Sequence, residues 1–186
     1  IKDKKGKRAG TVKLFVSLME CPTVIRPISE MDKKALYSAD LSRGGFVTID
    51  KIVCRELKNV ELFGKNDPFV TFAMTHASDK VYKTEYKDNA GVKAIWDNED
   101  EHPLDIEIEL SQDQLIDSIL NIEVFDYSVS HNTLIGRSEV SLGTTLLCIN
   151  QKCNIPTLDL IDAKGQKAGI IKVSLILRPR PDRLVF

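Results

Sequence analysis

The segment Leu57-Lys58-Asn59-Val60-Glu61-Leu62-Phe63-Gly64-Lys65-Asn66-Asp67-Pro68-Phe69-Val70 joins two strand-like stretches and carries two carboxylates, Glu61 and Asp67, six residues apart. Carboxylate oxygens are hard ligands and strong hydrogen-bond acceptors. Gly64 permits the positive backbone angles of a tight loop, and Pro68 suits the first residue of a strand, where its missing N–H costs no ladder bond. The segment therefore reads as a binding loop at one end of a sheet, where connections carry function and strands carry packing. Catalytic chemistry has no comparable signal. The chain has no P-loop, nucleophile elbow, metal-binding His pair or glycine-rich nucleotide fingerprint, and His76, His102 and His131 lie far apart. The reading is that this chain is not an enzyme.

The elements that must position this loop follow from hydrophobic period. Val70, Phe72 and Met74 alternate with Thr71 and Ala73, and Leu104, Ile106, Ile108 and Leu110 alternate with Asp105, Glu107 and Glu109. Leu120, Ile122 and Val124 repeat the pattern, as do Ile171, Val173, Leu175 and Leu177. Period two with one buried face predicts strands. With 46–53, 80–86, 135–142 and 155–160 added, eight strands are expected, enough for two antiparallel sheets to cover each other's apolar faces. Ser111–Ser118 and Thr144–Asn150 are connections with room for a short helical turn. The expected fold class is all-β, an eight-stranded antiparallel sandwich.

Charge and cysteine usage narrow the partners. The 26 basic and 27 acidic residues nearly cancel, so no global field draws the chain to nucleic acid or to anionic membrane, and any attraction must be local. No run approaches a transmembrane helix, and Ile1-Lys2-Asp3-Lys4-Lys5 lacks the apolar stretch of a signal peptide. Cys21, Cys54, Cys148 and Cys153 show neither zinc-type pairing nor disulfide density, which fits reduced thiols in a cytoplasmic protein.

Two further stretches complete a pattern with the 57–70 loop: Lys93-Ala94-Ile95-Trp96-Asp97, and Leu120-Asn121-Ile122-Glu123-Val124-Phe125-Asp126-Tyr127 running on to Leu134-Ile135-Gly136. Together they resemble a C2 domain over about residues 45–178. In that family an Asp-Pro-aromatic-Val strand start, an Asn-Pro-x-Trp-Asn-Glu-like turn and a Val-x-Asp-x-Asp strand end followed by Ile-Gly occur in this order. The resemblance implies a β-sandwich, here in the permuted (type II) arrangement, with 46–53 as first strand and 170–177 as last.

It also implies a calcium site built from about five aspartates on the apical loops. Glu61 stands at the first position, Asp67 at the second and Asp126 at the third. Ser128 holds the fourth, and the fifth falls near Asn132 or Thr133; none of these three is charged. The charge available to offset a dication drops from about five to about three, so the expectation is a degenerate site with no cofactor. Weak calcium binding through Glu61, Asp67 and Asp126, with an oxygen lent by Asp97, Asn98, Glu99, Asp100 or Glu101 of the second loop, is the alternative.

The apex is otherwise apolar: Leu62 and Phe63 fall at the tip of the first loop and Val129 at that of the third. Buried in a bilayer interface or a partner's pocket, Leu plus Phe would contribute about 3 to 6 kcal/mol before costs. The competing reading folds one of them back as a satellite of the core. A second membrane route implied by the resemblance is a lysine-rich concave face, for which Lys80, Lys83, Lys87 and Lys93 are the candidates. Asp79, Glu85 and Asp88 interleave with them, and a solvated mixed-charge face is the preferred reading.

Finally, Asp3-Lys4-Lys5-Gly6-Lys7-Arg8-Ala9-Gly10-Thr11-Val12-Lys13-Leu14 matches Asp162-Ala163-Lys164-Gly165-Gln166-Lys167-Ala168-Gly169-Ile170-Ile171-Lys172-Val173 at a constant offset of 159 residues. The repeat predicts that 1–19 is the last strand of a preceding C2 domain, with 20–44 a linker, 45–178 the domain and 179–186 an exit linker. The alternative makes 11–18 an extra strand of the same sandwich. The functional expectation is a calcium-independent targeting or scaffolding module of a multi-C2 intracellular protein. It would dock that protein to membrane phospholipid or to a protein partner. Calcium-dependent phospholipid binding and a structural spacer are the alternatives.

Overall fold

A computed structural model of the chain describes residues 45–76, 80–97, 104–108, 118–142 and 152–179. The expected strand or linker at 1–44, the exit linker beyond 179 and the connection at 144–150 lie outside the described residues. So do 111–117 of the other connection.

Ten strands are described: β1 (Gly45–Arg55), β2 (Pro68–Met74), β3 (Tyr82–Lys83), β4 (Ala94–Asp97), β5 (Leu104–Ile108), β6 (Ile119–Asp126), β7 (Thr133–Ser141), β8 (Lys152–Asn154), β9 (Leu158–Ile161) and β10 (Lys167–Pro179). All pairings are antiparallel, in the order β3-β2-β6-β7-β9-β10-β1-β4, with β5 also on β1 and β8 on β10. The count exceeds the eight predicted because β4 and β8 are too short to carry a period. The 80–86 strand contracts to Tyr82–Lys83 because its flanks turn into a loop. First and last described strands pair along their lengths. The permuted order depends in addition on residues 1–19.

The sheet curls, so that β2 and β6 face β1 and β10 across one core. Val70, Phe72, Ile122 and Val124 from one layer meet Val47, Ile49, Ile52, Ile171, Val173 and Leu175 from the other, with Ile106 and Ile108 of β5 in the same cluster. Strand β1 keeps its inward parity only by a bulge. The register with β10 slips between Ile49 and Lys51, so 47 and 49 point inward before it and 52 and 54 after it. A bulge of this kind re-aims side chains without ending the ladder. Trp96 is fully buried, and its indole N–H donates to Glu85 O at 2.8 Å, which satisfies its one polar atom. Cys54 is a core residue, its thiol pushed up to about 12 by burial.

Strands β4 and β5 lie along the same edge of β1: Ala94 to Asp97 pair with Cys54 to Lys51, and Leu104 to Ile108 with Ile49 to Gly45. Two separate described strands thus share one edge of β1. This placement bears directly on the apical site.

Candidate functional site

The loop from Glu56 to Asp67 is fastened at its base and free at its tip. Leu57 is buried and donates its N–H to Val92 O at 3.1 Å, and Lys58 N–H donates to Ala168 O at 2.8 Å. Lys58 Nζ reaches Asp162 Oδ2 at 2.8 Å. Inside the loop, Asn66 is fully buried and acts as a hub. Its Oδ1 accepts from Val60 N–H at 3.0 Å, and its Nδ2 donates to Lys58 O at 2.9 Å and Gly91 O at 3.4 Å. Gly64 has φ +132°, and a Cβ there would lie 3.6 Å from Glu61 Oε2, so the turn folds back over that carboxylate.

The second apical loop is 84–93, between β3 and β4. Lys87 N–H donates to Pro68 O and Gly91 N–H to Asn66 O, both at 2.9 Å, and Asn89 at φ 51° donates its N–H to Asp67 Oδ1 at 2.6 Å. Sequence alone assigns Asp97 to Glu101 to this loop, and the structure corrects that assignment for Asp97. Asp97 stands at the far end of β4 and pairs with Lys51 across the ladder, while 98–101 lie outside the described residues. The Trp motif misleads because its acids follow the strand that the loop precedes.

The third loop, 127–132, completes the apex. Asp126 is buried, and its Oδ1 accepts Asp67 N–H at 2.6 Å, while Tyr127 N–H donates to Asp67 O at 3.0 Å. Glu61 is thereby brought beside Asp126. Repulsion from Asp126 first, then partial burial, a side-chain hydrogen bond with Asp126 and the charge of Asp67 hold its carboxyl above the usual range. The structure therefore gathers Glu61, Asp67 and Asp126. Ser128 stays within its own loop, receiving from Ser130 N–H at 3.4 Å and donating its N–H to Asn132 Oδ1 at 3.3 Å, and Thr133 lies opposite Asp126 in the β6–β7 register. Among the described residues no group of three or more His, Cys, Asp and Glu side chains is arranged to hold a metal ion.

Leu62, Phe63 and Val129 project from this fastened base, 92%, 93% and 95% exposed, so none folds back onto the core. Lys80 lies over the Tyr82 ring at 4.7 Å, Lys93 stands exposed before β4, and Lys83 alone of the four candidate lysines lines an open groove of about 520 Å³ on the far side of β2 and β6 from the core. That groove is aromatic. Phe69 stacks on Phe125 at 5.5 Å and Tyr86 on Tyr127 at 4.4 Å. The sequence reading misses it, although Phe69 and Phe125 fall on the parity opposite the core and signal an outward aromatic row. It also misses Asn66, whose role depends on two loops meeting.

Comparison with known proteins now decides the family. A family model, the C2 domain, matches residues 45–157, more than half of the sequence. The chain belongs to the C2 domain family. This C2 domain is similar in fold to the first C2 domain of plant Extended Synaptotagmin 1, with 18% identity, 74% of this chain and 97% of that one covered, and a TM-score of 0.58. Human GIVD cytosolic phospholipase A2 aligns at 15% identity over 75% of this chain and 17% of its own, TM-score 0.54. A structure of the paired C2 domains of Extended-Synaptotagmin 2 aligns at 15% identity over 72% of this chain and 40% of its own, TM-score 0.53. No curated protein matches the sequence. Within the described residues no helix is long and apolar enough to cross a membrane.

Proposed function

We propose that this C2 domain is a non-catalytic, calcium-independent docking module that places a larger multi-C2 intracellular protein at a membrane surface. The observation that carries the reading is the apex itself, where Leu62, Phe63 and Val129 stand almost fully exposed on loops whose bases are fastened by hydrogen bonds. A rigid base presents apolar tips without an ordering cost at the moment of docking. The structures of Extended-Synaptotagmin 2 among the neighbours hold two C2 domains each, which supports a tandem setting.

Calcium independence is supported by how the acids are engaged. Calcium takes six to eight oxygens, and the third loop contributes Ser128 and Asn132 where charge is needed. Asp126 accepts one loop amide and Asp67 another. The rival, calcium-dependent phospholipid binding, is favoured by one observation: Asp126 and Asp67 act on Glu61, and a cation would relieve that repulsion.

Vesicle sedimentation in chelator tests the proposal. Wild-type protein should pellet with mixed phosphatidylcholine and phosphatidylserine vesicles, and Leu62→Ser with Phe63→Ser should stay in the supernatant with its melting temperature unchanged. Equal pelleting of both proteins would remove the apical anchor. No pelleting of either would leave a protein-docking or spacer role.

A further inference from the structure

The outer face of the β1–β10 pair, at the end where β1 passes into the Glu56–Asp67 loop, holds a notch of about 250 Å³ lined by Val53, Arg55, Thr157, Ile170 and Lys172. Register explains the lining. Arg55 stands opposite Ile170 and Val53 opposite Lys172, so the two cations occupy diagonal positions on one face. Diagonal positions of an antiparallel pair lie within reach of long side chains. Leu158 pairs with Ile171, which sets Thr157 level with Lys172 from the neighbouring strand.

Charge pairing singles this notch out. Lys51, Lys58, Lys152 and Lys167 each meet a carboxylate, from Asp97, Asp162, Asp50 and Asp159 respectively. Asp159 stands opposite Ile170 on the same face and is held by Lys167, on which Glu56 also acts. Among the described residues no carboxylate forms an ion pair with Arg55 or Lys172. Two neighbouring cations with no ion pair of their own repel one another, and an anion placed between them removes that cost.

We propose that the notch binds a phosphomonoester group, supplied by a lipid headgroup or by a soluble phosphorylated ligand. Arg55 offers a planar fork suited to two phosphate oxygens, Lys172 a point charge, and Thr157 a hydroxyl donor. Val53 and Ile170 form an apolar floor beneath the carbon skeleton that carries the phosphate. The site does not depend on the apical reading.

The test titrates the full chain with inositol hexakisphosphate, and separately with phosphatidylcholine vesicles carrying phosphatidic acid. Arg55→Ala with Lys172→Ala should weaken hexakisphosphate binding by about tenfold or more, since at least one charge-assisted contact is lost. The melting temperature should hold because both side chains are exposed. A parallel loss from the vesicles assigns the lipid headgroup as a source, and a loss confined to the soluble probe assigns the soluble ligand. Leu62→Ser with Phe63→Ser should leave hexakisphosphate binding intact, so failure of the apical anchor is read separately. Equal hexakisphosphate binding by wild type and the double alanine variant, or none by wild type, overturns the proposal.

Discussion

Lys58 and Glu61 lie three residues apart on one loop, yet the acids they meet are in opposite circumstances. Asp162, beneath Lys58, accepts from Lys58 Nζ at 2.8 Å and from the N–H groups of Lys164 and Gln166 at 2.9 Å each. The Lys58 hydrogen bond, with the two amides, lowers its carboxyl to about 2. Glu61 faces Asp126 and Asp67 instead, and its carboxyl is raised. One acid fastens the loop to the β9–β10 turn. The other is held against like charge, an arrangement that costs stability. The loop is thus structural at its base and strained electrostatically at its tip.

The largest way to break this contrast is to remove the hub between the two ends. Asn66→Ala leaves Val60 N–H, Lys58 O and Gly91 O without their side-chain partner, at a cost of about 1 to 3 kcal/mol for each buried group that stays unpaired. Chemical denaturation would measure it. A loss below about 0.5 kcal/mol would mean that water or backbone takes over each bond and the hub is dispensable.

A smaller effect is expected at the fastened end. The folded value for Asp162 lies below its ordinary value of 3.8, so its stabilisation is present above that value and is lost as pH falls through about 2. Asp162→Asn should therefore lower the melting temperature at neutral pH and narrow the difference from wild type in strong acid. A difference independent of pH would show that the turn geometry matters and the charge does not.

The smallest effect belongs to the tip. Because the Glu61 value is raised in the folded state, its contribution is present below the ordinary glutamate value and is lost as pH rises through the folded one. At neutral pH the ionised group therefore costs stability, and Glu61→Gln should raise the melting temperature slightly there and not in acid. A drop at neutral pH would contradict the repulsive reading.

The sequence made some of this legible and hid the rest for physical reasons. Period two along β2, β6 and β10 names the core residues directly, since Val70, Phe72, Ile122, Val124, Val173 and Leu175 all point inward. Glycine and proline around Asp67 locate the loop. Strand β4 was not legible, because four residues are too few positions to show a period. Without that strand the acids after Trp96 fall to the apex. Asn66 was equally silent. A buried polar hub is defined by what three separate carbonyl and amide groups need, and those come together only in the fold.

The most direct test of the central claim, that the apical carboxylates are engaged with the loops and with one another and do not form a calcium site, is a thermal melt with and without about 1 mM calcium. A site of about 1 μM affinity would add about 4 kcal/mol under that condition, an unmistakable rise in melting temperature. The account predicts superimposable melts in calcium and in chelator. A rise of that size, abolished by Asp126→Asn, would contradict it and establish calcium binding through Glu61, Asp67 and Asp126.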